Sequence, residues 1–197
     1  MVITDIRKNV KNPNRFSVFI DEKFAFSLND ALLIKLSLAK GDSIDKNRVD
    51  EIKVSIDSNN IYSQVLKYVS TRLKTSWEVE NYLERKKVSP TLIQDILNKL
   101  SNMDLVNDES YIRSFIRTKQ AIRPASKIKI EYELRKKHID QELIKKVMEE
   151  TDFSDRSALV ELIEKKRGLY KDKTKLTAYL VRQGFNYGDI KKELTEN

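Results

Sequence analysis

The sequence contains no cysteine. Disulfides, thiolate metal sites and a cysteine nucleophile are therefore excluded, and the composition suits a reducing cytosol. Glycine and proline are scarce, with four and three residues, which disfavours an all-β domain built on many tight turns. The glycines stand at 41, 168, 184 and 188. That placement provides neither a phosphate-binding P-loop nor a dinucleotide fingerprint. The one histidine is His138. No histidine pair can hold a metal, and no Ser-His-Asp order can be assembled convincingly. A metal-dependent nuclease built from the scattered Asp and Glu residues stays open, but no spacing points to it. An enzyme is not expected, nor is a cofactor, a metal or a small-molecule substrate.

Long apolar runs are missing too. Ala31–Ala39, the longest, is interrupted by Lys35 and Ser37 and is too short to span a bilayer. The first ten residues lack the apolar core of a secretory signal. A cytoplasmic location without a membrane partner is expected.

Charge is what the chain has in excess. Thirty-five per cent of residues are charged, against a usual share of about 25%. Forty per cent are hydrophobic, enough for a packed core. The net charge is +8, and it is unevenly spread. Residues 61–110 hold seven basic and seven acidic groups, whereas 111–150 hold eleven and six. A local basic surface attracts polyanions or acidic proteins.

The first thirty residues read as strands. Phe16, Val18 and Ile20 alternate along one run, and Phe24, Phe26 and Leu28 along the next. Turns at Lys11–Asn14 and Asp21–Lys23 make the three runs an antiparallel meander, which needs a helix to pack against. That helix follows, capped by Asn29 or Asp30 and ended at Gly41. Ser58-Asn59-Asn60 marks the expected end of this module, at residue 58.

The remainder repeats itself. With Leu83, Leu134 and Leu180 as anchors, Val79, Ile130 and Leu176 stand four residues earlier. Val88, Ile139 and Phe185 stand five later, Ile93, Ile144 and Ile190 ten later, and Leu97, Met148 and Leu194 fourteen later. The anchor and the residue four before it share one helix face. The residue five after it plugs a turn, and a second helix faces the same core. Thr75 and Glu78 have the spacing of a capping box. Ser89-Pro90 and Asp140 open the helices after the turn. A further amphipathic helix precedes each pair, with Val65, Leu66, Tyr68, Val69 and Leu73, then Ile112, Phe115 and Ile116, then Leu159, Leu162 and Ile163. The anchor spacings of 51 and 46 residues suit three short helices. The expected fold is mainly α: three tandem three-helix repeats (59–103, 104–151 and 152–197) forming an elongated curved solenoid, after an N-terminal β meander plus helix at 1–58. Such arrays usually bind other macromolecules.

The second repeat carries the candidate site. Nine basic residues, Arg113, Arg117, Lys119, Arg123, Lys127, Lys129, Arg135, Lys136 and Lys137, are opposed by only Glu131 and Glu133 between positions 113 and 137. Secondary basic positions are Arg72, Arg85, Lys86 and Arg182. Such a surface can displace counterions from nucleic-acid phosphates or meet an acidic protein. Trp77 reads as a packing residue. Of the helical tyrosines, Tyr62, Tyr68, Tyr82, Tyr111, Tyr132 and Tyr179, most read as core or partly buried, and an exposed one could stack on a base.

These motifs together resemble the RecX regulatory proteins. Ser70–Lys86 is similar to their first repeat. Leu105-Val106-Asn107-Asp108-Glu109-Ser110-Tyr111 resembles the family's hydrophobic-Asp-Asp-x-x-aromatic link. Glu133–Ile139 resembles the second repeat and Tyr179–Ile190 the third. The N-terminal strands resemble the extension of longer members. This chain departs from the family where His138 replaces a glycine and Ser126-Lys127 replaces Gly-Pro. The resemblance implies a cytosolic bacterial modulator of the RecA recombinase. It would bind RecA and its DNA filament and mostly inhibit strand exchange, ATP hydrolysis and coprotease activity, in DNA repair, homologous recombination and the SOS response. Single- or double-stranded DNA is a further expected partner. A DNA-binding protein acting independently of RecA is the alternative.

Overall fold

The computed structural model describes residues 1–196. The chain divides into two compact units, Met1–Tyr68 and Val69–Asn197.

In the first unit, β1 (Ile3–Lys8), β2 (Arg15–Ile20) and β3 (Lys23–Asn29) pair antiparallel in that order. Asp21 and Glu22 both take positive φ, 47° and 68°, the backbone that matches the twist of a two-residue hairpin. Val18, Ile20, Phe26 and Leu28 turn inward. Phe24, expected beside them, is 60% exposed and meets Phe19 edge-on instead. Helix α1 (Asp30–Lys35) is capped by the Asn29 side chain, which accepts from the Leu32 N–H at 2.8 Å. Helix α2 (Lys46–Val69) adds Val49, Ile52 and Ile56 to this core.

Ser58-Asn59-Asn60 lies inside α2, and the compact units divide ten residues later. Ser and Asn cost a helix interior only about 0.5 kcal/mol each, too little to stop a helix already anchored by its buried positions. Leu73, assigned to the same helix from its spacing, lies beyond its end and is exposed.

The second unit holds α3 (Ser76–Arg85), α4 (Pro90–Asn102), α5 (Asp108–Ala121), α6 (Lys127–Arg135), α7 (Gln141–Glu150), α8 (Asp155–Arg167), α9 (Lys173–Arg182) and α10 (Tyr187–Glu196). The anchor leucines are fully buried, as are Val79 and Ile130. Each middle helix (α3, α6, α9) starts eight residues before its anchor at a capping side chain, Thr75, Ser126 or Asp172. Thr75 and Glu78 form the reciprocal box. Asp140 caps α7 through the Leu143 N–H at 2.9 Å. The residue four after each anchor is left-handed: Lys87, His138 and Gly184 have φ of 59°, 55° and 87°.

Successive repeats are joined by the same pair of contacts. The carboxylate at the start of α5, Asp108, accepts from the Ser76 N–H at the start of α3 at 2.8 Å. One repeat later, Asp155 of α8 accepts from the Lys127 N–H of α6 at 2.7 Å. Each places a negative charge on the positive end of a helix dipole. Beside it, a turn carbonyl meets the cap of the preceding repeat. Thr75 Oγ1 donates to the Lys137 carbonyl at 3.4 Å, and the Ser126 N–H donates to the Gln183 carbonyl at 3.1 Å.

The closer second junction depends on glycine. A Cβ on Gly184 would stand 2.3 Å from Ser126 Oγ and 3.1 Å from Lys129 Cβ, at a φ that L side chains rarely adopt. Gly184→Ala is therefore expected to lose more than about 1 kcal/mol in chemical denaturation. His138→Gly should be nearly neutral: relief of the left-handed strain offsets a ring contact of about 1 kcal/mol. Equal losses from the two substitutions would contradict this account.

Candidate functional site

The predicted basic residues do not form one uniform face. Some are consumed by the fold. Lys119 reaches Glu133 at 2.7 Å, and its side chain is only 15% exposed, so it ties α5 to α6. Arg113 is held by Glu109 at 2.7 Å and also pairs with Glu150, tying α5 to α7. Hydrogen bonds to these two carboxylates hold its guanidinium above the usual arginine pKa.

Lys137 belongs to a hub between the first two repeats, centred on the buried carboxylate of Glu78. Its ammonium is 3.0 Å from Glu78, which also takes Arg72 at 2.9 Å and the Thr75 N–H at 3.2 Å. Burial alone would raise the Glu78 pKa, but hydrogen bonds from Arg72, Lys137 and Thr75 outweigh it and bring the group to about 2. Lys74 is also buried here, and burial holds its pKa below the usual lysine value.

The other predicted residues stay at the surface. Arg117, Arg123, Lys127, Lys129 and Lys136 make no ion pair among the described residues, and Arg135 has only Glu131 at 3.8 Å. Lys129 and Lys136 flank the exposed ring of Tyr132, with ammonium-to-centroid distances of 5.7 and 4.5 Å. A hydrogen bond with Lys136 lowers the phenol pKa. Helix α6 is short, and burying Ile130 and Leu134 forces Ile128, Tyr132 and the lysines outward. Of the secondary positions, Arg72 joins the Glu78 hub. Arg85 donates to the Asn81 carbonyl, Lys86 lies over Tyr82, and Arg182 is exposed.

The outer face of α6 thus carries an exposed aromatic ring with two ammonium groups close to it, with Arg117 and Arg123 elsewhere on the same repeat. Ammonium groups can neutralise phosphates, and an exposed ring can stack on a base. Sequence reasoning did not single out Tyr132 or Ile128 as the exposed residues of α6. The signal was available: Tyr132 is two residues from each buried position of α6, on its far side. Among the described residues no helix is long and apolar enough to cross a membrane, and no three His, Cys, Asp or Glu side chains converge as metal ligands.

Comparison with known proteins gives a consistent set of likenesses. Residues 1–45 match the RecX regulatory protein N-terminal domain, 62–100 the first RecX three-helix domain and 107–148 the second. The RecX regulatory protein of Bacillus cytotoxicus is 32% identical over 197 residues, 94% of this chain and 73% of its own length. That of Listeria monocytogenes is 29% identical over 195 residues, 99% of this chain and 72% of its own. A crystal structure of a RecX regulatory protein superposes with a TM-score of 0.75 at 23% identity, covering 96% of this chain and 97% of that one. RecX from Lactobacillus salivarius gives a TM-score of 0.59 at 30% identity, over 71% of this chain and 96% of that one.

Proposed function

Since the chain belongs to the RecX family of regulatory proteins, we propose that it binds the filament of the RecA recombinase on DNA and restrains it. On this reading it lowers strand exchange, ATP hydrolysis and coprotease activity. It would act in the cytoplasm, in DNA repair, homologous recombination and the SOS response, and without catalysis of its own. The relatives are named regulatory proteins, which supports a binding role. The observation that carries the reading is the α6 face, where Lys129, Tyr132 and Lys136 stand free of acidic partners on a buried scaffold. It suits contact with the phosphates of filament DNA or an acidic strip of recombinase.

The same face supports the second reading, a DNA-binding protein that acts without RecA. One titration separates them. Adding the protein to RecA on single-stranded DNA should slow ATP hydrolysis at stoichiometries below one per recombinase protomer. Binding to naked DNA with unchanged ATP hydrolysis would favour the second reading, and no response together with no co-sedimentation would remove both.

A further inference from the structure

The repeats align column by column, so their two junctions can be compared directly. At the first, the space beside the start of α3 is filled. The His138 ring lies on Trp77 with centroids 4.1 Å apart and planes 17° apart. Within the second repeat, Lys146 reaches toward Glu109 at 3.9 Å. At the second, the matching columns hold Ile128 for Trp77, Gly184 for His138, Arg156 for Glu109 and Lys192 for Lys146. Both rings are gone, and the columns of the Glu109–Lys146 pair hold two basic residues, of which Arg156 pairs with Glu193 instead. Gly184 cannot regain a ring, because the turn sits too close to Ser126 for any side chain.

A cavity of about 240 Å³ stands in this place. Ile128, Leu159 and Phe185 give it apolar walls, and Asp189 and Lys192 are among its polar lining. Its lining also includes Glu193, 5% exposed and paired with Arg156 at 2.7 Å. Ile128 is 70% exposed, although its counterpart Trp77 is covered by a ring.

We infer that this cavity receives one indole side chain, a tryptophan presented by a protein partner. The same columns of the same chain hold stacked rings one repeat earlier. The volume lies under the range of about 300–1,000 Å³ typical of small-molecule pockets, and suits a single large side chain. Lys192 provides a cation for the ring face, and the Asp189 carboxylate complements an indole N–H. The cavity continues the seam between the second and third repeats, so the incoming ring completes an interface already present. Buried indoles of this kind anchor protein interfaces.

The test needs no recombinase, so its outcome is separate from that of the filament reading. The full chain, methyl-labelled at Ile and Leu, is titrated with N-acetyl-tryptophanamide and, separately, N-acetyl-leucinamide, and followed by NMR. The tryptophan probe should shift the Ile128 and Leu159 methyls saturably, with a dissociation constant of about 1–10 mM, the weak range expected of a lone fragment. The leucine probe should not. Ile128→Trp should fill the cavity in cis and abolish the Leu159 shift, and Ile128→Lys should weaken it at least fivefold. Both variants alter an exposed position, and unchanged melting curves would show that they fold. Equal shifts from both probes, no saturable shift, or binding that survives in folded Ile128→Trp would overturn the inference.

Discussion

Glu78→Ala is expected to destabilise the helical unit by about 3 kcal/mol, the usual cost of leaving a buried charge without its partner. The carboxylate is only 10% exposed and is the shared acceptor of Arg72 and Lys137. Its loss leaves Lys74, buried at 6% exposure, near two further cations. It also opens the Thr75 capping box. In a thermal melt the loss should appear as a fall of about 10 °C. Glu78→Gln keeps the shape and an acceptor for the Thr75 N–H, so it should lose less. A Glu78→Ala melt within about 2 °C of the parent would refute this assignment. The same group sets an acid limit. It titrates at about 2 in the folded chain against an ordinary 4.5. Its contribution is therefore complete above about pH 4.5. It declines as pH falls through 4.5 toward 2, where the unfolded chain takes up the proton first. Glu78→Gln should flatten this part of the stability–pH curve.

Reversing Lys129 and Lys136 together to glutamate should weaken filament binding by about 10- to 100-fold near 0.1 M salt. If DNA phosphates are the partner, the slope of log K against log salt should shrink by about 1.4–1.8, the share of two contacts. Tyr132→Ala should weaken binding with little change in that slope, because stacking carries no counterions. Arg113→Glu should mainly lower the melting temperature, since its guanidinium is spent on Glu109 and Glu150. Full inhibition of RecA ATP hydrolysis by a folded Lys129→Glu/Lys136→Glu variant would remove α6 from the binding face.

The helical part of the fold was legible because its signals are local. Leu83, Leu134 and Leu180 recur with their neighbours in fixed columns, and the Thr75–Glu78 box and the Asp140 cap lie within one helical turn. The end of α2 was not legible: the polar run at 58–60 resembles a break, and only packing of residues on either side overrides it. The candidate site was legible as a count of charges, not as a surface. Lys137 and Glu78 are 59 residues apart, and no pattern along the chain announces that they meet. Lys119 finds Glu133 in the same way. Composition counts cations; folding decides which of them remain available.

The contacts between repeats have unlike ends. Every join uses an aspartate and a turn carbonyl from the later repeat, and a helix start from the earlier one. The array therefore has a direction, and two repeats cannot be coupled in reversed order by the same contacts. A copied segment of about fifty residues would bring a complete plug and a complete socket with it. Such a fold can lengthen by in-frame duplication without inventing a new joint. What distinguishes one joint from the next is then the few side chains that fill it, as Trp77 with His138 and Ile128 with Gly184 already do differently.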